Sequence, residues 1–289
     1  MISYAPTSFE YHNFLRTVLH TGPATAPINV VTEADFMRGH RITYPYRNYF
    51  YGVGVAHEDS RRLRIGTREF TLRARTMLII GPGVTRLWLD DNWALKNTTV
   101  FFTPEPFGAL LPAGFLHNLP FFRPGADPIV PLSATQYGFV NQLFALLQTS
   151  RANPAVAQGL LYALLTYVRD VYADGLPPAG SLTRPQAIVR AFLPLVQQHY
   201  MTHKDVPFYA DQLHLTPKHL SEVVKAETGK PAKRIIDDLV FFEAQSLLKQ
   251  TSMSVQEIVY WLGYEDASYF TKLFRQKVGL TPLAYRQQP

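Results

Sequence analysis

The chain contains no cysteine. Disulfides, thiolate metal sites and cysteine nucleophiles are therefore excluded. No apolar run approaches the ~20 residues that a helix needs to cross a bilayer. Met1 to Ser8 lacks the basic-plus-apolar pattern of a secretory leader. A cytoplasmic chain with no membrane partner is expected. There is no Gly-rich phosphate loop and no Gly-x-Ser-x-Gly elbow. A metal-dependent barrel enzyme would need His-x-His with a following Glu and a later His. Here His57 and Glu58 are adjacent, His40 is alone, and His117 sits in Phe115-Leu116-His117-Asn118. No enzyme, metal or cofactor is expected from these residues.

Lysine is scarce in the first part of the chain, where only one of the nine lysines precedes Thr183, against 14 of the 19 arginines. The net charge of +6 divides evenly, +3 on each side of that point, so charge alone does not mark a nucleic-acid module. Lysine suits phosphate as a mobile point charge, whereas arginine suits fixed pairing. The length of 289 residues and 47% hydrophobic content suit two packed domains.

What is present is a repeat. Val206, Ala210, Leu213 and Leu215 precede Leu220, Val224, Gly229 and Pro231; Val255, Val259, Leu262 and Tyr264 precede Phe270, Phe274, Gly279 and Pro282. The offset is 49 residues for the leading four and 50 for Leu220, Val224 and Gly229, so the second copy has one extra residue in its turn. Apolar residues at i, i+4 and i+7 mark a short helix, and a second stripe marks the helix packed across it. Thr216-Pro217 supplies a cap and a proline at the first helical position, and Asp266 caps the second copy after the Gly263 turn. Compact helix pairs of this kind place a second helix in a DNA major groove. Between the copies, Pro231 to Gln250 reads as a helix about 30 Å long, against about 34 Å between successive major-groove faces.

Upstream, Ser8 to His20 reads as a short amphipathic helix. Strand patterns follow at Ile28 to Phe36, Asn48 to Ala56, Arg68 to Leu72, Met77 to Ile80, Thr85 to Leu89 and Thr98 to Phe102. Short, closely spaced strands argue for a small barrel or jelly roll. Tyr137, Val140, Phe144 and Leu147 start a helical pair that continues from Pro154 to Ala173. It either covers the barrel or forms a two-fold dimer seam, and the seam is preferred. Thr183 to Met201 is another helix, kinked at Pro194. His199 and His203, four apart, are favoured by the dipole of a helix end more than by zinc.

Ile258-x-x-x-Leu262-Gly263-Tyr264-x-x-x-Ser268-Tyr269-Phe270-x-x-x-Phe274-x-x-x-x-Gly279-x-Thr281-Pro282-x-x-Tyr285-Arg286 resembles the C-terminal signature of AraC/XylS-type transcription regulators. Leu213 to Gly229 resembles that family's first helix-turn-helix, so the likeness covers about residues 190 to 287. Val259 departs from the alanine usual there. The β region resembles the family's cupin-like sensing domain in layout only.

The resemblance implies an α+β multidomain chain. Residues 1–174 would form a cupin-like sensing and dimerisation domain, with the barrel at 28–133 and the helices at 134–173. A linker at 175–183 would lead to an all-α DNA-binding domain at 184–289, with helix-turn-helix motifs at 206–229 and 254–279. The function implied is an activator that binds operator or promoter DNA as a homodimer, with RNA polymerase and a small effector as further partners. A ligand-independent architectural protein and a cupin-type enzyme with a DNA-binding tail are the alternatives.

Carried over by position, Lys218, Ser221 and Glu222 on the helix Pro217 to Thr228 would face base edges, as would Ala267, Ser268, Tyr269 and Lys272 on Asp266 to Lys277. Lysine donates to guanine or phosphate, Glu222 accepts from cytosine, and Ala267 meets a thymine methyl. Thr216, His219, Thr271 and Arg275 would hold phosphates. Tyr269 either faces DNA or packs on Leu262. In the β region, Tyr44, Tyr49, Tyr51 and Trp88 with Arg38 and Arg86 suit an apolar effector bearing a carboxylate or phenol. The alternative is an aromatic core with solvated arginines.

Overall fold

In the computed structural model, the described residues are 14–15, 26–38, 42–59, 62–90, 96–107, 115–123, 126–175 and 182–288. The expected helix at Ser8 to His20 lies outside them except for Phe14 and Leu15, and so does most of the linker expected at 175–183.

The N-terminal part carries two antiparallel sheets. Strands β1 (Ile28–Val31), β2 (Tyr51–Ala56), β5 (Thr76–Ile80), β7 (Asn97–Phe102) and β8 (Ile129–Pro131) make the larger one, in the order β1-β7-β2-β5-β8. The smaller has β3 (Arg62–Ile65) between β4 (Arg68–Thr71) and β6 (Arg86–Trp88). Side chains alternate across the larger sheet, as the two-residue strand period demands. Met77 and Ile79 join the core under the helical pair, whereas Leu78 and Ile80 join the core that also holds Leu63 of the smaller sheet. Gly54 faces Thr99 across the β2–β7 ladder, where an added Cβ would lie 2.4 Å from the threonine hydroxyl.

One expectation needs correction here, and strands β3 and β8 lie outside the expected runs. The run Ile28 to Phe36 is not one strand, because it breaks at Thr32 and continues as helix α1 (Glu33–Arg38). The Thr32 amide and hydroxyl both donate to the Asp35 carboxylate at 2.9 Å, a local cap that outcompetes continuation of the ladder. Strand β3 was not expected, since Arg62-Leu63-Arg64-Ile65 puts arginine at alternate positions; only Leu63 is fully buried.

A short α2 (Phe115–Asn118) precedes the pair α3 (Ala134–Thr149) and α4 (Pro154–Asp174). The pair lies where the 3.6-residue period places it, and buries Val140, Phe144, Leu161, Leu164 and Leu165 against the larger sheet. Each fully buried side chain of this size contributes roughly 1.5–3 kcal/mol.

The C-terminal part is helical throughout: α5 (Arg184–His199), α6 (Val206–Gln212), α7 (Pro217–Thr228), α8 (Ala232–Gln250), α9 (Val255–Trp261), α10 (Ala267–Val278) and α11 (Pro282–Gln287). Helix α8 is the common wall. Its first half closes a core with α5, α6 and α7, and its second half closes another with α9, α10 and α11. No helix among the described residues is long and apolar enough to cross a membrane.

Candidate nucleic-acid interface and ligand cavity

Both helix-turn-helix units are shaped by local chemistry. The Thr216 hydroxyl accepts from the His219 amide at 3.2 Å, with Pro217 behind it, and Asp266 accepts from the Ser268 and Tyr269 amides at 2.7 and 3.1 Å. These caps satisfy donors that would otherwise be orphaned at the starts of α7 and α10. Both helices end on glycines in the left-handed region, Gly229 and Gly279. Inside the turns, Gly263 has φ of 71°, and at the same place in the first copy His214 takes φ of 55°.

Leu220 and Val224 of α7, and Phe270 and Phe274 of α10, are buried as the stripes require. The opposite faces are open. Thr216, Lys218, His219, Glu222, Ser268, Tyr269, Lys272 and Arg275 are exposed, and Ser221, Ala267 and Thr271 are half-buried. Tyr269 is 55% exposed. His203 stacks on Phe208 with ring centroids 3.6 Å apart, and among the described residues no group of three or more His, Asp or Glu is placed to hold a metal.

The two units are tied together. Lys204 donates to the carbonyls of Met201 and Gly263 at 2.9 and 3.1 Å and lies over the Tyr264 ring, which joins the first unit to the turn of the second. Lys277 of α10 pairs with Asp238 of α8 at 3.3 Å. The closing Tyr285-Arg286 is structural: Tyr285 packs edge-on against Phe274, and Arg286 donates to the carbonyls of Leu248 and Met253.

The expected ligand residues do not form one pocket. Arg86, Trp88 and Tyr46 come together between the sheets, with the Trp88 indole donating to the Tyr46 hydroxyl at 3.1 Å. Tyr44 packs against that same core. Tyr51 lies in the other core, stacked on Phe102, because its strand position faces the helical pair. Tyr49 is 43% exposed beside Arg47, and the Arg38 side chain lies outside the described residues. Arg86 is not a solvated arginine. It is buried within the aromatic core, 5.1 Å from the centre of the Tyr46 ring, and burial lowers its pKa.

Sequence reasoning missed the joint between the two parts of the chain. Glu243, fully buried on α8, accepts from Arg47 at 2.7 Å and from Thr85 at 2.5 Å. Arg47 also donates to the Tyr200 hydroxyl at 2.8 Å, and its amide donates to Gln250 at 2.7 Å. Burial pulls the Arg47 pKa down, but the Glu243 carboxylate together with the Tyr200 and Tyr49 hydroxyls more than reverses this and holds it above its ordinary value. A signal for the joint was available. Glu243 falls four residues after Leu239 and four before Leu247, squarely on the apolar face of α8.

Comparison with known proteins agrees with this geometry. A family model described as a helix-turn-helix domain matches residues 209–288. The HTH-type transcriptional activator RhaS of Escherichia coli O6:H1 is 30% identical over 287 residues, covering 94% of this chain and 97% of the relative. Among solved structures, the C-terminal domain of AraT, a response regulator from Geobacillus stearothermophilus, is 28% identical over 36% of this chain and 88% of its own, with a TM-score of 0.34. ToxT from Vibrio cholerae, bound to an unsaturated fatty acid, is 13% identical over 90% of this chain and 94% of its own, with a TM-score of 0.35. Two capped helix-turn-helix units on one spacer helix, preceded by a sheet-and-helix region, define a DNA-binding transcription regulator rather than an enzyme. The chain belongs to the AraC/XylS family, and it is a transcriptional activator of that type.

Proposed function

We propose that α7 and α10 are the paired readers of an operator, with Lys218, Ser221 and Glu222 on one and Ala267, Ser268, Tyr269 and Lys272 on the other facing base edges. Thr216, His219, Thr271 and Arg275 grip phosphates beside them. The observation that carries this is the exposure of Lys218, Glu222, Ser268, Tyr269 and Lys272 on the sides of α7 and α10 opposite their buried stripes. At 19 residues, α8 spans ~29 Å, which suits neighbouring major-groove faces.

Residues 1–174 serve as the sensing and dimerisation domain, a cupin-like jelly roll with an appended helical pair, joined through 175–183 to the DNA-binding domain at 184–289. The domain holds a small apolar or aromatic effector, and the activator works in the cytoplasm in contact with RNA polymerase. Phe139 and Leu146 on α3, and Val156 and Tyr162 on α4, are 43–50% exposed. Four large apolar side chains on adjacent helices are the surface of a two-fold seam. Sedimentation of the full chain checks this: charged residues at Leu146 and Val156 convert a dimer to a monomer, and a wild-type monomer refutes it.

The test of DNA reading is selection of bound sequences from a random pool, followed by anisotropy. Lys272→Ala relaxes preference at one base pair by about 1–3 kcal/mol. Equal weakening on all sequences reassigns Lys272 to phosphate, and unchanged binding refutes the assignment.

A further inference from the structure

The two proposed reading helices end at one carboxylate. Asp238 lies in the second turn of α8, and its side chain is 15% exposed. Lys277, in the last turn of α10, reaches Oδ1 at 3.3 Å, and Arg234, one turn earlier on α8, reaches the same oxygen at 3.0 Å. Lys230 reaches Oδ2 at 3.5 Å from the residue after the Gly229 cap of α7, and its amide donates to the hydroxyl of Thr228, the last residue of that helix. A fourth cation comes from the N-terminal part. The Arg64 guanidinium of β3 lies 4.4 Å from the centre of the Phe242 ring, and while burial lowers its pKa the Asp238 carboxylate opposes the shift.

Stability alone does not call for three cations on one carboxylate. Ion pairs with exposed partners are worth about 0–1 kcal/mol each. The contact between α8 and α10 is already held by Phe241, whose ring centre lies 5.6 and 6.2 Å from those of Phe270 and Phe274. Apolar contact is non-directional, so one helix can tilt on another, whereas a hydrogen-bonded ion pair fixes one register. Lys277 is 19% exposed, which makes its pair with Asp238 the least screened of the three.

The lever from this point is long. Lys277 lies about 15 Å along the helix axis from Ala267. A tilt of ~5° about the Lys277 end moves the first turn of α10 by ~1.3 Å, beyond the ~0.5 Å within which a binding group keeps its geometry. Lys204 fastens the two units elsewhere, between the loop before α6 and the Gly263 turn. One tie leaves a hinge, and a second removes it.

We propose that Asp238 is a positioning residue for DNA reading: it fixes the angle between α7 and α10, and with it the number of base pairs the chain accepts between its two target blocks. The proposal rests on the paired-reader assignment above. Asp238 acts through Lys277 and Lys230, which carry its hold to the ends of the two helices.

The experiment uses the full chain. Wild type, Asp238→Asn, Asp238→Glu and Lys277→Met each undergo selection from a random duplex pool. Anisotropy then gives the affinity for the wild-type operator, for versions with one base pair added or removed between its blocks, and for a random duplex of equal length. Wild type should select two blocks at one separation. Asp238→Asn and Lys277→Met should lower the operator-over-random ratio by about tenfold, the worth of one base contact, and should shrink the penalty for altered separation. The two changes shift the chain's charge in opposite directions, so affinity for the random duplex should rise in the first and fall in the second. A shared loss of spacing preference is then not an effect of charge. Asp238→Glu should recover part of the preference, and Lys277→Met carries the test if Asp238→Asn does not fold. A lower melting temperature with ratio and spacing penalty unchanged assigns Asp238 to stability alone and overturns the proposal, as does a change confined to the random duplex. Selection of a single block by wild type overturns the paired-reader assignment itself, and this inference with it.

Discussion

Replacing Glu243 by alanine tests whether the joint between the two parts of the chain holds them as one unit. The carboxylate is fully buried, its partner Arg47 is 14% exposed, and Thr85 is buried beside them. Glu243→Ala removes the acceptor of one guanidinium and one hydroxyl and leaves both in a site closed to solvent. Breaking a buried pair from one side costs about 3–5 kcal/mol, because the remaining charge is stranded. Replacing both partners by apolar residues strands no charge and leaves only the Thr85 and Tyr200 hydroxyls without these partners, so Arg47→Met combined with Glu243→Leu should recover most of that loss. Urea unfolding of the full chain, read by intrinsic fluorescence, gives the singles and the double in one thermodynamic cycle. A single-variant loss below about 1 kcal/mol would refute the reasoning, since that is the worth of a solvated surface pair. A double variant as unstable as the sum of its singles would refute it too.

Three further outcomes are expected. Gly263→Ala should cost about 1–3 kcal/mol in urea, because φ of 71° disfavours a side chain and the new Cβ would lie 2.5 Å from the Met201 carbonyl; an unchanged midpoint sinks the argument. Stability should fall on acidification. His57, bonded to Tyr137 and Thr98 at 2.7 and 2.8 Å, has its pKa lowered from 6.5 by burial, with Glu33 partly opposing, so its contribution is present above pH 6.5 and lost as pH drops through the folded value. His57→Gln should flatten that slope in melting curves taken at pH 7.5 and 5.5, and an unaltered slope places the titration elsewhere. Glu222→Ala should change the preferred base at one operator position in a selection experiment while leaving overall affinity similar; unchanged preference dismisses Glu222 as a reader.

The helix-turn-helix units were legible because what shapes them is local. Thr216, Asp266, Gly229 and Gly279 act within one turn of their own helix, so α7 and α10 fall where the sequence places them, within a residue at each end. Strand β3 was illegible for the opposite reason. Its arginines are kept by distant partners, Arg62 by Asp90 and Arg64 by the ring of Phe242, and a two-residue apolar alternation cannot show that. The grouping of Tyr49, Tyr51 and Arg86 failed because Tyr49 lies in the bend before β2, Tyr51 faces the helical pair and Arg86 starts a strand of the smaller sheet, placements that composition does not carry. The joint at Glu243 joins residues about 200 positions apart, as the Arg47 to Gln250 bond shows with a separation of 203. Only the misplaced charge on the apolar face of α8 hinted at it.

The Lys204 clamp has a consequence for DNA. Because it ties the loop before the first helix-turn-helix unit to the turn inside the second, the angle between the two proposed reading helices is held fixed against the duplex. Each inserted base pair turns the second target by about 35° around the helix axis and carries it out of reach. Operators for this chain should therefore tolerate substitution far better than insertion, with a whole turn of added DNA no better than a single base pair.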